Sequence, residues 1–354
     1  MTEKLNTSNI SILLTNTKDK TGIKSIVNGV TDKVKAKTLL EQGSSNPNRV
    51  TKATVSIIES ILQCKINEEV NNQYMFFRWT MPNTFNFDGN NKNYYLMVGN
   101  SCPWCHRTLL VHELKHLSKK VKVIFLKADI NSGQWVFNEH FKGCKTLNQF
   151  YKKAEKHNTF RSTLPLLVDL QNDEINILSS ESSEIVRLLN TIEVESSQKI
   201  LQINNCDQEL LQIIHSGIND GVYKCGFARN QESYEIASKS LFTALSKIEK
   251  KFEKNLGNWI CGENLTYADI YLFPTVIRWE LIYMQLFKCT GRELSNFKKI
   301  INWRLRFFEL PNVSKTCFDT EWKKDYYKAL FPLNPNQIIP VLPSLKEIIQ
   351  SLPK

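Results

Sequence analysis

Two cysteines three positions apart form the part of this sequence best suited to chemistry. Cys102 and Cys105 flank a Pro-Trp dipeptide and follow an apolar run that ends at Gly99. This order predicts that Cys102 lies where a strand gives way to a helix. Unpaired backbone N–H groups and the positive end of the helix dipole favour the thiolate there. Because a thiolate of low pKa attacks sulfur well and also leaves well, the spacing predicts thiol–disulfide chemistry at Cys102.

Three other interpretations of this cysteine pair stay open. The first is half of a zinc site, although the sequence has no second Cys pair at a suitable spacing. With His106 the pair also matches the CxxCH haem-attachment pattern, but that chemistry needs export, and the first thirty residues do not resemble an export signal. Buried structural cysteines are the third, because free cysteine is often core filler. The surrounding sequence favours catalysis.

Two further segments are suited to binding a thiol peptide. Pro165 stands before an apolar strand, and a proline there is often cis, which leaves the backbone of Leu164 available to an extended ligand; a plain strand-start proline is the simpler alternative. Glu181 and Ser182 open a helix, where a hydroxyl can hold a carboxylate and Glu181 an ammonium group, although simple helix capping also fits. Together with Cys102 these segments describe a groove for glutathione.

The pattern of apolar residues places these segments on an α/β layer followed by helices. It predicts strands over 94–98, 121–126, 166–169 and 175–178, a helix beginning at Pro103, a helix over 182–190 and an irregular stretch between 126 and 166. This is the element order of a thioredoxin-type layer. After about residue 205 the apolar spacing becomes helical, which predicts an all-α second domain. We expect an N-terminal extension over 1–72, a glutathione-binding domain over 73–200 and a substrate-binding domain over 205–354.

Composition limits the class of protein and its partners. With 354 residues, of which 42% are hydrophobic and 23% charged, the chain can form two domains with separate cores. No apolar run approaches the roughly 20 residues of a membrane span. The net charge of +11 comes from scattered lysine doublets without a nucleic-acid-binding motif, so we expect attraction of a small anion and neither a nucleic-acid nor a membrane partner.

The cysteine content and the N-terminal composition bear on the compartment. Nine irregularly spaced cysteines predict reduced thiols in the cytoplasm. Acidic residues near the N-terminus argue against a plastid transit peptide, and the plastid is kept as the alternative.

Ordered sequence blocks carry a family resemblance. They are Ser101–Arg107 (SCPWCHR), Arg161–Asp169 (RSTLPLLVD), Glu181–Leu188 (ESSEIVRL), Asn219–Ala228 (NDGVYKCGFA), Leu265–Phe273 (LTYADIYLF) and Tyr326–Pro340. From about Tyr94 to Pro343 the chain resembles a Xi-class glutathione transferase, that is, a glutathionyl-hydroquinone reductase. The resemblance implies a thioredoxin-like N-terminal domain followed by an all-helical glutathione-transferase C-terminal domain, with glutathione as co-substrate, no metal, and a homodimer.

The resemblance also implies a two-step reaction and the residues that perform it. Cys102 takes the glutathione from a glutathionyl-hydroquinone as a mixed disulfide, and a second glutathione then regenerates the thiolate. The matching positions for the glutathione moiety are Trp135, Leu164, Pro165, Glu181 and Ser182, and those for the aromatic ring are Tyr223, Tyr283 and Tyr326. Taken singly, Trp135 and the tyrosines could also be core or packing residues.

Several residues depart from the family pattern. Cys105 stands where the family more often has no cysteine, and there it could resolve the mixed disulfide. Leu164 replaces a commoner valine, Phe160 a glycine, and Asp325 a histidine. Two rival functions follow: a glutaredoxin-like disulfide or dehydroascorbate reductase that uses Cys102 and Cys105, and a catalytically silent binding protein with the transferase fold.

One motif is predicted to stabilise the fold only. Thr266 and Asp269 precede an apolar run and match a helix capping box. Substitution of Asp269 is expected to lower the free energy of unfolding by about 1 kcal/mol, or more if its partners are buried.

Overall fold

The computed structural model describes residues 93–129, 134–154, 162–171, 174–193, 205–228, 230–255, 257–330 and 333–351. The predicted extension over 1–72 and Phe160 lie outside these ranges. The contacts divide the chain into two compact units, and the one formed by Phe85–Lys127, Trp135–Tyr326 and Ile339–Lys354 carries the residues discussed below. In the described part of the chain, no helix is both long and apolar enough to span a bilayer.

A six-stranded sheet forms the first layer. Its strands are β1 (Tyr94–Gly99), β2 (Val121–Asp129), β3 (Gln134–Phe141), β4 (Cys144–Thr146), β5 (Leu166–Gln171) and β6 (Glu174–Ser179). Their order is β4-β3-β2-β1-β5-β6, with β1 parallel to β2 and antiparallel to β5. Because β1 and β5 are central and almost wholly buried, they read as continuous apolar runs in the sequence.

Three α-helices accompany the sheet. They are α1 (Pro103–Leu114), α2 (Leu147–Ala154) and α3 (Ser182–Thr191). Proline occupies the first position of α1, where its missing N–H costs no helical hydrogen bond. The predicted strands and the helices α1 and α3 are confirmed, and so is the thioredoxin-like layer.

The predicted irregular stretch between residues 126 and 166 is wrong. It contains β3, β4 and α2. β3 lies second from the edge of the sheet and is half-buried over its first half, with the exposed polar run Asn138, Glu139 and His140 in its second half. Such a strand lacks the regular alternation of apolar and polar residues by which a half-buried strand is recognised.

The rest of the described chain is helical, which confirms the predicted all-α part. Its α-helices are α4 (Asn205–Gln212), α5 (Asp220–Gly226), α6 (Gln231–Lys254), α7 (Tyr267–Val276), α8 (Lys298–Phe308), α9 (Asp319–Ala329) and α10 (Leu345–Gln350). Two π-helical segments, Ile213–Asn219 and Trp279–Tyr283, interrupt them. α7 is buried along its whole length and packs against α1, so the helical part is anchored beside the Cys102 loop.

Asp269 anchors the start of α7. The capping box with Thr266 is present, and Asp269 also accepts hydrogen bonds from Ile260 N at 3.1 Å and Trp303 Nε1 at 2.8 Å. Burial raises the pKa of this carboxyl to about 6, even though these hydrogen bonds favour the charged form. The carboxylate therefore joins three segments of the helical core.

We expect Asp269→Ala to lower the free energy of unfolding by about 3 kcal/mol, because it leaves several buried donors without an acceptor. The matched control is Glu347→Ala, since Glu347 closes a capping box with Ser344 at the exposed start of α10. This change is expected to cost much less, because the Glu347 carboxylate is fully exposed and water replaces its hydrogen bonds. Urea unfolding of both variants checks the difference. An Asp269→Ala cost no larger than that of the control contradicts the anchoring role.

Candidate active site

Cys102 is the N-cap residue of α1. Its Sγ accepts a hydrogen bond from the backbone N–H of Cys105 at 3.4 Å, and its own N–H donates to Gly99 O at 3.1 Å. The residue is half-buried. The predicted position at a helix N-terminus is confirmed.

The two thiols of the motif are not equivalent. Cys105 is 0% exposed, and its Sγ accepts from Gly99 N at 3.4 Å. A hydrogen bond from the Cys105 thiol lowers the pKa of Cys102; the N–H groups of Cys105 and Trp104 and the charge of Arg278 act in the same direction, against burial. Burial and the neighbouring Cys102 raise the pKa of Cys105 well above its usual value. Of the two thiols, Cys102 is therefore the one whose ionisation its surroundings favour, and Cys105 is the one that donates to it.

The backbone before Pro165 borders the Cys102 sulfur. The Leu164–Pro165 peptide bond is cis, as predicted. Leu164 O lies 3.9 Å from Cys102 Sγ, and Tyr151 fixes the preceding turn by donating its hydroxyl to Thr163 O at 3.0 Å. The structure therefore brings Leu164 and Cys102 together although 62 positions separate them.

Glu181 and Ser182 open helix α3, which packs against α1. Glu181 is the N-cap residue, but its side chain makes no capping hydrogen bond, so simple capping does not explain it. Ser182 Oγ accepts a long hydrogen bond of 3.4 Å from Arg107 Nη1, one turn along α1 from Cys102. The N-terminus of α3 and the Arg107 guanidinium together form an electropositive corner next to the thiolate helix.

Trp135 lies beside the turn that precedes Cys102. A Cβ atom on Gly99 would clash with the Trp135 ring, so only glycine permits this contact at the end of β1. The indole is half-buried, which leaves part of its surface available. Its position agrees with a residue that packs over a ligand at Cys102.

The three tyrosines singled out from the sequence form one hydrogen-bonded cluster. Tyr326 Oη lies 2.7 Å from Tyr223 Oη and 3.3 Å from Tyr283 Oη. The rings surround Phe287, whose centroid is 5.1 Å from that of Tyr223. Burial raises the pKa of all three phenols, so they stay protonated. A charge on Cys102 is among the causes that raise the pKa of Tyr223, so the tyrosine cluster lies within electrostatic reach of that sulfur.

Asp325, the residue that departs from the family histidine, also borders the site. Its carboxylate accepts a hydrogen bond from the side chain of Ser101, directly before Cys102, while burial raises its pKa. The substitution thus changes a contact of the Cys102 loop.

Sequence reasoning missed two buried arginines. Arg107 stacks on Trp104 and Tyr271, with its guanidinium carbon 4.3 and 4.4 Å from the ring centroids. Burial lowers its pKa to about 10. Arg278 lies 3.8 Å above the ring of Trp322. The sequence signal that could have revealed them is an arginine inside an apolar stretch, because burial of an unpaired charge costs free energy.

No metal site accompanies these residues in the part of the chain that the structure describes. Nowhere in it do three His, Cys, Asp or Glu side chains come together in a way that could hold an ion.

Comparison with protein families matches both halves of the chain. Residues 101–192 match the model of the glutathione S-transferase N-terminal domain, and residues 231–313 match that of the C-terminal domain. Among curated proteins, glutathionyl-hydroquinone reductase PcpF of Sphingobium chlorophenolicum is 32% identical over 277 residues, covering 73% of this chain and 85% of the relative. The corresponding reductase YqjG of Escherichia coli is 30% identical over 273 residues, covering 73% and 82%.

Solved structures give the same assignment. Glutathione-bound YqjG of Escherichia coli aligns with a TM-score of 0.68 at 28% identity, covering 75% of this chain and 90% of that one. The Xi transferase of Phanerochaete chrysosporium aligns with a TM-score of 0.67 at 28% identity, covering 73% and 93%. The relatives thus share the fold, both domains and nearly their full length with this protein. The chain is an enzyme of the glutathione transferase family and belongs to its Xi class, the glutathionyl-hydroquinone reductases.

Proposed function

We propose that this enzyme removes glutathione from glutathionyl-hydroquinones and that glutathione is its co-substrate. One observation carries the proposal: a half-buried thiolate at a helix N-terminus lies 3.9 Å from the backbone of Leu164 and within electrostatic reach of Tyr223. A thiolate suits attack on sulfur, and a group of protonated phenols suits an aromatic diol. The names of the curated relatives and the bound glutathione in the Escherichia coli structure support it.

Glutathione binds along the N-terminal layer. Its cysteine backbone pairs with Leu164 beside Pro165, which brings its sulfur toward Cys102. Its γ-glutamyl end meets Glu181 and Ser182, where a carboxylate benefits from the helix N-terminus and from the charge of Arg107. Trp135 packs over the peptide. A tripeptide of net negative charge agrees with the electropositive corner described above.

The first step transfers glutathione to the enzyme. Cys102 Sγ attacks the glutathione sulfur; a disulfide bond forms and the carbon–sulfur bond breaks. The ring carbon takes the electron pair together with a proton, and the hydroquinone leaves. The protonated Tyr223–Tyr326–Tyr283 cluster binds the ring hydroxyls and supplies the proton through its hydrogen bonds.

The second step restores the thiolate. The thiolate of a second glutathione attacks the glutathione sulfur of the mixed disulfide, glutathione disulfide leaves, and Cys102 returns to its charged form. The net reaction converts a glutathionyl-hydroquinone and one glutathione into the hydroquinone and glutathione disulfide. The low pKa of Cys102 makes it a good leaving group in this step.

A second candidate is supported by the contact between Cys105 and Cys102. In a glutaredoxin-like dithiol reductase, Cys105 attacks the mixed disulfide, glutathione leaves, and a Cys102–Cys105 disulfide forms. The burial and raised pKa of Cys105 weigh against this path, because a buried thiol is a poor nucleophile. We therefore assign Cys105 to stabilising the thiolate.

The homodimer expected from the family resemblance stays a prediction, and light scattering of the purified protein tests it.

The turnover test separates the candidate functions. With a glutathionyl-hydroquinone and glutathione, we expect one glutathione disulfide per hydroquinone, complete loss of activity in Cys102→Ser, and kcat within about threefold of wild type in Cys105→Ser. Collapse of turnover in Cys105→Ser favours the dithiol reductase. Absence of turnover in the wild-type protein favours the silent binding protein.

The role of Cys105 in lowering the pKa of Cys102 has its own test. Cys105→Ala removes the donor, whereas Cys105→Ser keeps a hydroxyl in its place. We expect the pH midpoint of Cys102 alkylation to rise by about one unit in Cys105→Ala and by less in Cys105→Ser. Iodoacetamide kinetics followed by peptide mapping give the midpoints. Equal midpoints in the wild type and the alanine variant would remove this role from Cys105.

The tyrosine cluster is tested by removing one hydroxyl. Tyr223→Phe keeps the ring and its stacking but loses the bond to Tyr326. We expect kcat/KM for the hydroquinone adduct to fall by about 10- to 100-fold, while the rate of Cys102 alkylation changes little. The control is Tyr234→Phe, whose hydroxyl donates to Lys288 O and lies outside the cluster. An equal loss in both variants means that the cluster has no special part in turnover.

A further inference from the structure

Arg278 is a fully buried cation without an acidic partner. The side chain is 0% exposed, and among the described residues no carboxylate lies within ion-pair distance. Its Nη1 donates to His106 Nδ1 and to Pro274 O, each at 2.8 Å, while Nε and Nη2 have no hydrogen-bond acceptor in the described chain. A buried charge without a counter-ion is costly, so a native protein normally pairs it.

A second buried arginine in the same region provides the contrast. Arg304 is also 0% exposed, but its Nη1 lies 2.7 Å from Glu280 Oε2. Among the described residues, one of these two buried guanidinium groups therefore pairs with a carboxylate and the other does not. Within that part of the chain, a counter-charge for Arg278 has to come from another kind of group.

Two contacts of Arg278 lead to the loop and helix turn that hold Cys102. His106 lies one turn along α1 from that cysteine. Trp322, on which the guanidinium stacks, donates Nε1–H to Asn100 O at 2.9 Å, two residues before Cys102. The guanidinium is thus linked to the chain on both sides of Cys102, to Asn100 through Trp322 and to α1 through His106.

His106 is neutral in this arrangement and adds no positive charge. Burial, and then the charge of Arg278, lower its pKa well below the usual value. Its Nδ1 accepts from Arg278, so its proton lies on Nε2, which donates to Thr316 Oγ1 at 2.8 Å. Thr316 in turn donates to Val313 O at 2.7 Å. This chain of hydrogen bonds fixes the guanidinium and leaves Arg278 as the only charge along it.

We propose that Arg278 is a positioning residue whose buried charge is balanced by the Cys102 thiolate, so that the cation holds the nucleophile ionised without touching the substrate. The thiolate in turn stabilises the burial of the guanidinium. The proposal concerns the resting enzyme and does not depend on which substrate it uses.

The other titratable groups around Arg278 and Cys102 agree with this assignment. Those within electrostatic reach of Arg278 are Cys102, Cys105, His106, Tyr283, Tyr326 and Cys317. All except Cys102 remain uncharged, because burial raises the pKa of the acids and lowers that of the histidine. Arg107 and Tyr223 also sense the charge of Cys102, and Asp325 binds the neighbouring Ser101. Arg278 adds to the lowering of the Cys102 pKa, after the hydrogen bonds of Cys105 and Trp104.

The first experiment measures Cys102 alkylation against pH in Arg278→Gln and Arg278→Lys. Glutamine can still donate to His106 but carries no charge, whereas lysine keeps the charge. We expect the midpoint to rise by about one pH unit in Arg278→Gln and by much less in Arg278→Lys. Arg306→Gln is the control: Arg306 is half-buried and donates to Asn258 O, and its loss should leave the midpoint unchanged. An unchanged midpoint in Arg278→Gln overturns the proposal.

The main comparison of the second experiment is made in the wild-type protein, with Arg278 in place. Cys102 is labelled either with iodoacetamide, which leaves a neutral adduct, or with iodoacetate, which leaves a carboxylate of nearly the same size. We expect a lower Tm at pH 7.5 for the neutral adduct, because the guanidinium has then lost its counter-ion. In Arg278→Gln the two adducts should unfold at the same temperature. Equal Tm values in the wild-type protein show that Arg278 does not depend on a negative charge at Cys102.

Discussion

The proposed chemistry depends on favouring a negative charge on one half-buried sulfur atom, that of Cys102. Water stabilises that charge only in part, so protein groups have to replace it. The N–H groups at the start of α1, the thiol of Cys105 and the guanidinium of Arg278 all act on Cys102 in the same direction. The same burial raises the pKa of the neighbouring thiols Cys105 and Cys317 and of the tyrosine phenols, so Cys102 is the group among them whose ionisation is favoured.

Helix α1 joins the two parts of the site. Its first residues carry Cys102 and Cys105, which face the sheet side with Leu164, while His106 and Arg107 connect to α7, α3 and the aromatic residues around them. Its packing against α3 and α7 fixes the glutathione-binding corner and the tyrosine cluster relative to one sulfur. In the proposed function, the N-terminal layer binds the peptide and the helical part binds the aromatic ring.

Much of this arrangement was predictable from the sequence, because local signals mark it. The apolar run before Gly99, the proline at the start of α1 and the capping box at Thr266 each report their own surroundings. β3 was missed because its second half is a polar run, and the edge strand β4 because three residues are too few to show an alternating pattern. Arg278 was missed for a different reason: its partner His106 is 172 positions away, and no local pattern reports a contact across that distance. The meeting of Tyr223, Tyr283 and Tyr326 was expected from the family resemblance alone, and their hydrogen bonds required the structure.

The most direct measurement is peptide mapping by mass spectrometry after a glutathionyl-hydroquinone has reacted with the Cys105→Ser protein in the absence of glutathione. Because residue 105 is then a serine, the motif has no second thiol that could attack the mixed disulfide and release the glutathione. The account predicts a single glutathione on Cys102, hydroquinone released in equal amount, and loss of the adduct as glutathione disulfide when glutathione is added. Glutathione on a different cysteine, or release of hydroquinone with Cys102 unmodified, would contradict it.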